Sequence, residues 1–268
     1  MELDFFKYIF QLFVNCHSVT TYREVSFMAL KERHDSSGYL ACEHVGVFYL
    51  LMLSSGMMGA YTYIMRGGVF CNAQTANFLM MGIAVGNGNW KHAFYYLIPM
   101  AAYFLGSLIS EILPTPIKKY GLFRWDTWLV GFEALTLFII GFLPMSVPDQ
   151  VVQVAINFIA SMQYNTFRQA EGVPMATTFC TNHVRQVGIG FAKLVRKHDQ
   201  KGFRRGIEHF CMILCFCAGV SLLTLCSHVL QEKSIWIALI PLLTLFVMLA
   251  YADLTWERNL LNKKPAGH

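Results

Sequence analysis

One short phrase is written twice in this chain, about a hundred residues apart, and each copy is flanked by apolar stretches long enough to cross a membrane. The first copy runs Met58, Thr62, Tyr63, Gly68, Val69, then Thr75-Ala-Asn77 and Gly82. The second runs Met162, Thr166, Phe167, Gly172, Val173, then Thr181-Asn-His183 and Gly188. Spacings of four, one, five and one residues, and of seven from Thr to Gly, are the same in both, and only the intervening loop is longer by two in the second. A duplicated membrane unit carrying polar residues at matching positions limits the chain to two similar halves and directs functional interest to where they meet.

Composition names the solvent. With 55% hydrophobic and 14% charged residues and a mean hydropathy of +0.44, the chain lies outside the soluble range, and an all-α polytopic membrane bundle is expected. Apolar runs at roughly 45 to 65, 93 to 113, 127 to 147, 150 to 166, 207 to 229 and 234 to 252 approach the ~20 residues a tilted span needs. Two further segments, 71 to 88 and 173 to 192, are helical in pattern but poor as spans. The first is short and carries Asn72, Gln74 and Asn77, and the second contains His183 and Arg185.

The positive charges choose between two topologies. Six spans with two half-inserted helices put eighteen of the twenty-one Lys and Arg residues on the side of the N-terminus, leaving Arg66, Lys91 and Lys233 opposite. Eight spans reduce the division to fourteen against six and place Arg185 inside a span. The six-span reading is preferred, with both termini cytoplasmic in a cell (inner or plasma) membrane. Three spans per copy make the repeat inverted; eight spans would make it parallel.

The sequence therefore divides into an interfacial N-terminal segment 1–44, membrane repeats 45–147 and 148–252, and a tail 253–268. In the first, Phe5, Phe6, Ile9, Leu12 and Phe13 line one face of a helix suited to the headgroup region. A signal peptide is not expected, since Glu2 and Asp4 replace a basic n-region. The tail, with Pro265 and Gly267, reads as disordered. The net charge of +5 is explained by topology and anionic lipid, so no nucleic-acid partner is expected. Of eight cysteines none forms a Cys-x-x-Cys pair, and neither metal nor cofactor is expected.

Polar residues at membrane depth carry the functional reading, because an unpaired one is costly. They are Asn72, Gln74, Thr75 and Asn77 in the first short segment, and Thr177, Thr178, Thr181, Asn182 and His183 in the second. Gln163 and Asn165 precede the latter. A helix that begins inside the membrane aims free N–H groups at the centre, and two such starts from opposite faces would make a site for an anion or a hydrogen-bonding solute. The competing account is that these side chains only cap their own helices or bond neighbouring backbone. Pro174 suits a first helical turn. Glu133, two turns into the third span, is a candidate proton carrier; the alternative is a structural pair with Arg124 or Arg185. Gly106 and Gly219 occupy matching places for close helix packing, and Gly82 and Gly188 would do the same for the short helices.

The run Gly67-Gly-Val-Phe-Cys-Asn-Ala-Gln-Thr-Ala-Asn77, with Met162-Gln-Tyr-Asn165 and Thr177-Thr-Phe-Cys-Thr181, resembles the YoaK family of bacterial membrane proteins, grouped under a domain of unknown function. The family pattern has Asn-Met-Thr-Gly-Asn after the Gly-Gly turn and later Met-Gln-Asn and Thr-Thr-x-x-Thr-Gly. This chain departs from it at Gln74, Ala76, Tyr164 and Asn182. The resemblance spans most of residues 45 to 252 and implies a polytopic membrane protein without an established activity.

The leading expectation is a secondary transporter of a small polar or anionic solute, with Thr75, Asn77, Thr181 and His183 around the solute and Glu133 carrying a proton. A passive hourglass channel and a non-catalytic scaffold or accessory subunit remain open, as does homo-oligomerisation. An enzyme is not expected: no Gly-x-Ser-x-Gly, His-Glu-x-x-His or Asp-x-x-Asp set is present.

Overall fold

The computed structural model describes residues 38–114 and 121–265. The interfacial helix read near Phe5 to Phe13, and Lys118 and Lys119 of the charge count, lie outside the described residues. The chain divides into two units, Met1–Ala41 and Cys42–His268, and the architecture below belongs to the second. It is built of helices α1 (Val45–Ile64), α2 (Gln74–Gly86), α3 (Trp90–Ile112), α4 (Trp125–Ile140), α5 (Asp149–Thr166), α6 (Thr181–Lys197), α7 (Gln200–Leu230) and α8 (Leu239–Leu254). A two-residue antiparallel ladder, β1 (Gln169–Ala170) with β2 (Val173–Pro174), precedes α6.

Three elements depart from the sequence reading. The second short helix starts at Thr181 rather than near 173, because Glu171 (φ 48) and Gly172 (φ 76) supply the left-handed pair that a two-residue hairpin requires. Pro174 therefore lies in β2, opposite Gln169, and not in a first helical turn. The fourth helix stops at Ile140, where Pro144 and Pro148 follow. The last span begins as a 3-10 helix, Gln231–Ala238, and becomes α-helical only at Leu239.

Two close helix pairs dominate the packing, α1 with α7 and α3 with α5, while α2 lies on α3, α6 on α7 and α4 on α8. Glycine permits both close pairs. A Cβ on Gly219 would meet the Leu53 carbonyl of α1, one on Gly56 the Phe216 carbonyl of α7, and one on Gly106 the Phe158 carbonyl of α5. Gly82 and Gly188, read as packing glycines, have open space around them, and in α6 it is Gly190 that packs, against Gly206 of α7.

Hydrogen bonds tie the helix ends into two groups. At one end, Arg124 before α4 joins Asp126 at 3.0 Å and Glu257 beyond α8 at 3.2 Å, and its backbone N–H donates to Asp253. There too, Trp125 Nε1 donates to Thr166 at the end of α5, and Asn165 reaches Ser110 and Glu111 at the end of α3. Arg124 also donates to Cys42 Sγ at 2.8 Å, and burial holds that thiol well above its usual range. The tail read as disordered is thus ordered from Asp253 through a 3-10 turn at Arg258–Leu260. At the other end, Arg66 beyond α1, fully buried, donates to the carbonyls of Leu143, Pro144 and Val147 beyond α4, and Tyr61 donates to Glu232 O beyond α7.

The outer surface is apolar. Phe104 and Leu108 of α3, Leu135 and Ile139 of α4, and Ile240 and Leu243 of α8 are all exposed, while Asn77, Gln153, Asn157 and Gln163 are sealed inside. Only a lipid solvent makes that arrangement stable. Val45–Ile64, Trp90–Ile112 and the stretch Gln200–Leu254, which contains α7 and α8, are long and apolar enough to cross a membrane.

Candidate functional site

Each short helix is preceded by a loop closed by one side chain seven residues further on. In the first, Gly67 and Gly68 both take φ +74, a conformation that disfavours side chains, and the chain then turns through Phe70 to α2. Asn77, buried in the first turn of α2, clamps this loop from both sides: its Oδ1 accepts from Phe70 N at 3.1 Å and its Nδ2 donates to Phe70 O at 2.6 Å. In the second, the fully buried His183 sits at the matching position, with Nε2 2.8 Å from Ala176 O. Its Nδ1 lies 2.8 Å from Nδ1 of His209 on α7. The carbonyl at Nε2 requires an N–H there, so His183 Nδ1 is the acceptor and His209 Nδ1 carries the shared proton.

The two loops meet at Ser55, midway along α1. Asn72 of the first loop donates to the Ser55 carbonyl at 3.2 Å. Gln163 of α5 donates to the Ser55 hydroxyl at 3.0 Å and to the carbonyl of Thr177, in the second loop, at 3.2 Å. All four residues are at most 5% exposed. A second chain of bonds runs beside it: Asn77 Nδ2 to Gln74 Oε1 at 3.1 Å, Gln74 Nε2 to Asn157 Oδ1 at 2.9 Å, and Asn157 Nδ2 to Gln153 O at 2.8 Å. Gln153 Nε2 then donates to Arg66 O at 2.6 Å and to the Tyr95 hydroxyl. Residues of both loops and of α1, α2 and α5 thus meet in a polar junction that is buried except at the half-buried Gln74.

The other residues singled out in the sequence are distributed differently. Thr75 and Thr181 are exposed, outside the junction. Asn182 accepts from the exposed Arg185 at 2.9 Å, and Asn165 belongs to the Glu111 group at the helix ends, with Arg168 2.7 Å from Glu111. Thr178 is buried beside Tyr103 of α3. Glu133 is fully buried, and neither carboxyl oxygen has a hydrogen-bond partner among the described residues. The arginines considered as its partners are engaged elsewhere, Arg124 with Asp126 and Glu257, Arg185 with Asn182.

Ser55, His209 and Tyr103 join the set from the structure. Ser55 is a polar residue in the middle of an apolar span, and that was the available signal; His209 and Tyr103 gave none beyond residue type. A cavity of about 80 Å³ lies at the helix-end group, lined by Ser110, Glu111, Trp125 and Thr166 among others and by none of the junction residues.

These features define a helical membrane protein in which the loops before its two short helices converge on a buried polar junction. The chain belongs to a family described as protein of unknown function (DUF1275), whose model matches residues 47–248. It is similar to the UPF0700 transmembrane protein YoaK of Bacillus subtilis (strain 168), with 21% identity over 213 residues, 76% of this chain and 92% of that protein. No solved structure matches.

Proposed function

We propose that this chain is a transporter of a small polar solute, built from two inverted membrane repeats, with the solute taken at the junction around Ser55. The convergence of both loops on that one residue, through Asn72 and through Gln163 with Thr177, is the observation that carries the reading. Buried amides and hydroxyls from two independently anchored segments form a site that opens when one repeat moves against the other, the geometry of alternating access.

The six-crossing, inverted form is supported by the packing. Exchanging α1, α2, α3 and α4 with α5, α6, α7 and α8 maps each major helix contact onto another: α1 with α7 becomes α5 with α3, α2 with α3 becomes α6 with α7, and α4 with α8 becomes itself. The ends of α1 and α4 gather with that of α7 at one side, and those of α3, α5 and α8 at the other. The chain then crosses six times, with α2 turning back on the Arg66 side and α6 on the Arg124 side. The positive charges of the second side make it cytoplasmic, in the cell membrane, with both termini there.

Glu133 completes the proposal. An ionised carboxylate without a partner in this interior is costly, so the group must be met by a proton or a cation. We assign it the coupling proton and assign the chain no enzymatic step. A thermal-shift screen of the detergent-solubilised protein, repeated with Asn72→Ala and Gln163→Ala, tests the site. A solute whose stabilisation is lost in both variants supports it; stabilisation that persists in both overturns it.

A further inference from the structure

Which hydrogen-bonding groups of the junction are already engaged indicates what kind of solute could bind there. Every side-chain amide nitrogen of the two bond chains has at least one protein acceptor, and those of Gln74, Asn77, Gln153 and Gln163 have two; Asn72 Nδ2 and Asn157 Nδ2 each donate one bond. The oxygens divide: those of Gln74, Asn77 and Asn157 accept hydrogen bonds within the protein. Among the described residues, Gln163 Oε1 and Gln153 Oε1 are buried with no hydrogen-bond partner, and so is the hydroxyl of Thr177, which can accept as well as donate. Away from these amides, the two carboxyl oxygens of Glu133 are also buried with no hydrogen-bond partner among the described residues. Leaving a buried acceptor unmet costs on the order of 1–3 kcal/mol, so unmet demand on this scale points to something that brings donors.

The guanidinium nearest these chains, that of Arg66, is engaged with three carbonyls and offers no free fork to an anion. The first turns of α2 and α6 lack side-chain caps, and free N–H groups of that kind favour anions. Thr75 and Thr181, which carry those turns, are exposed and lie outside the junction. Inside, the amide atoms left wholly without a hydrogen-bond partner among the described residues are both oxygens, Gln153 Oε1 and Gln163 Oε1.

Resting on the transport reading above, we infer that the junction takes a small nitrogen compound rich in N–H donors, neutral or cationic, of the ammonium, amine, urea or guanidinium class, and not an anion. Gln163 Oε1 and the Thr177 hydroxyl receive it, adjacent to one another through the bond from Gln163 Nε2 to Thr177 O. This replaces the sequence expectation of Thr75 and Thr181 as contacts and narrows the solute from polar or anionic to donor-bearing.

The test uses the full chain in sealed proteoliposomes, with uptake of labelled methylammonium, urea and guanidinium measured beside nitrate and formate. The expected result is uptake of at least one donor compound and of neither anion. Gln163→Leu and Thr177→Val, each close in size to the residue replaced, remove one acceptor apiece. Each is expected to lower that uptake about tenfold, the effect of one lost hydrogen bond to a polar solute. A monodisperse elution profile and an unchanged unfolding temperature confirm that the variants fold, and two independent positions guard against loss of one. Uptake of nitrate or formate that falls in both variants overturns the inference and leaves the transport reading standing. Absence of uptake for all five compounds overturns both. Donor uptake unaffected by either variant overturns the assignment to this junction.

Discussion

The loops before α2 and α6 solve one geometric problem in two ways. Both bring a chain into position for a short helix, both use left-handed residues to turn, and both are closed across seven residues, Phe70 to Asn77 and Ala176 to His183. In the first, the closing residue is an amide that clamps the donor and acceptor of one backbone unit and joins a ladder of uncharged partners. In the second it is an imidazole that closes the loop with one nitrogen and passes the other to His209 on α7. The surroundings diverge as well. Beyond Thr75 the exposed α2 residues are apolar, among them Phe78, Leu79 and Ile83, whereas α6 carries Arg185, Lys193, Arg196 and Lys197. Equivalent positions thus have equivalent mechanical duties, while only one of them can change charge. The lesson is that two loops can share one closing geometry and differ in the chemistry that closes it.

The largest expected effect tests whether the halves are mechanically equal. Gly106→Val and Gly219→Val each drive a side chain into a backbone carbonyl of the facing helix, and each should lower stability by about 2–3 kcal/mol or prevent folding, since neither backbone can retreat. Denaturation in mild detergent would measure it; a large loss in one and none in the other would break the equivalence of the α3–α5 and α1–α7 contacts.

Next come the closing residues themselves. Asn77→Ala leaves the Phe70 N–H and carbonyl without their clamp, and His183→Ala strands Ala176 O and His209, so each should cost about 1–3 kcal/mol. The two should differ locally: hydrogen exchange should accelerate around Phe70 in the first variant and around Ala176 in the second. Exchange that rises equally at both loops would mean that they do not close independently.

The smallest effect concerns acid. The second closure contains two neutral rings sharing one proton, and protonating either one sets two N–H groups face to face. Its contribution is present at neutral pH and is lost as pH falls, while the Asn77 clamp does not titrate. Lowering the pH toward 5 should therefore loosen the segment from Ala176 to His183 in hydrogen exchange and leave Phe70 to Asn77 unchanged. His209→Phe should abolish the difference; a pH response equal in both loops would erase the contrast drawn here.

Much of this was legible in the chain. The repeated spacing Thr75-Ala-Asn77 and Thr181-Asn-His183 marked Asn77 and His183 as equivalents, and hydrophobic run length located the helices to within a few residues, because lipid selects for span length directly. The hairpin at Glu171 and Gly172 was misread as a helix start because an isolated Gly-x-Pro is compatible with either outcome, and only pairing of β1 with β2 decides. Thr75 and Thr181 looked like site residues because residue type does not reveal which way a helix is turned. The interest of Glu133 came from its setting in apolar sequence, whereas the engagement of Arg124 with Asp126 and Glu257, which leaves Glu133 without those partners, depends on residues far apart in the chain.

By itself the sequence determined a lipid-embedded helical protein, since apolar length is a property of consecutive residues. Tertiary structure alone decided that Ser55 is the meeting point, that Gln163 links it to the opposite loop, and that Gln153 and Gln163 engage their nitrogens with the protein while their oxygens have no partner among the described residues. Hydrogen-bond partnership is settled by distances of about 3 Å between side chains more than a hundred residues apart, and nothing in a linear pattern encodes which of several similar polar groups will come that close.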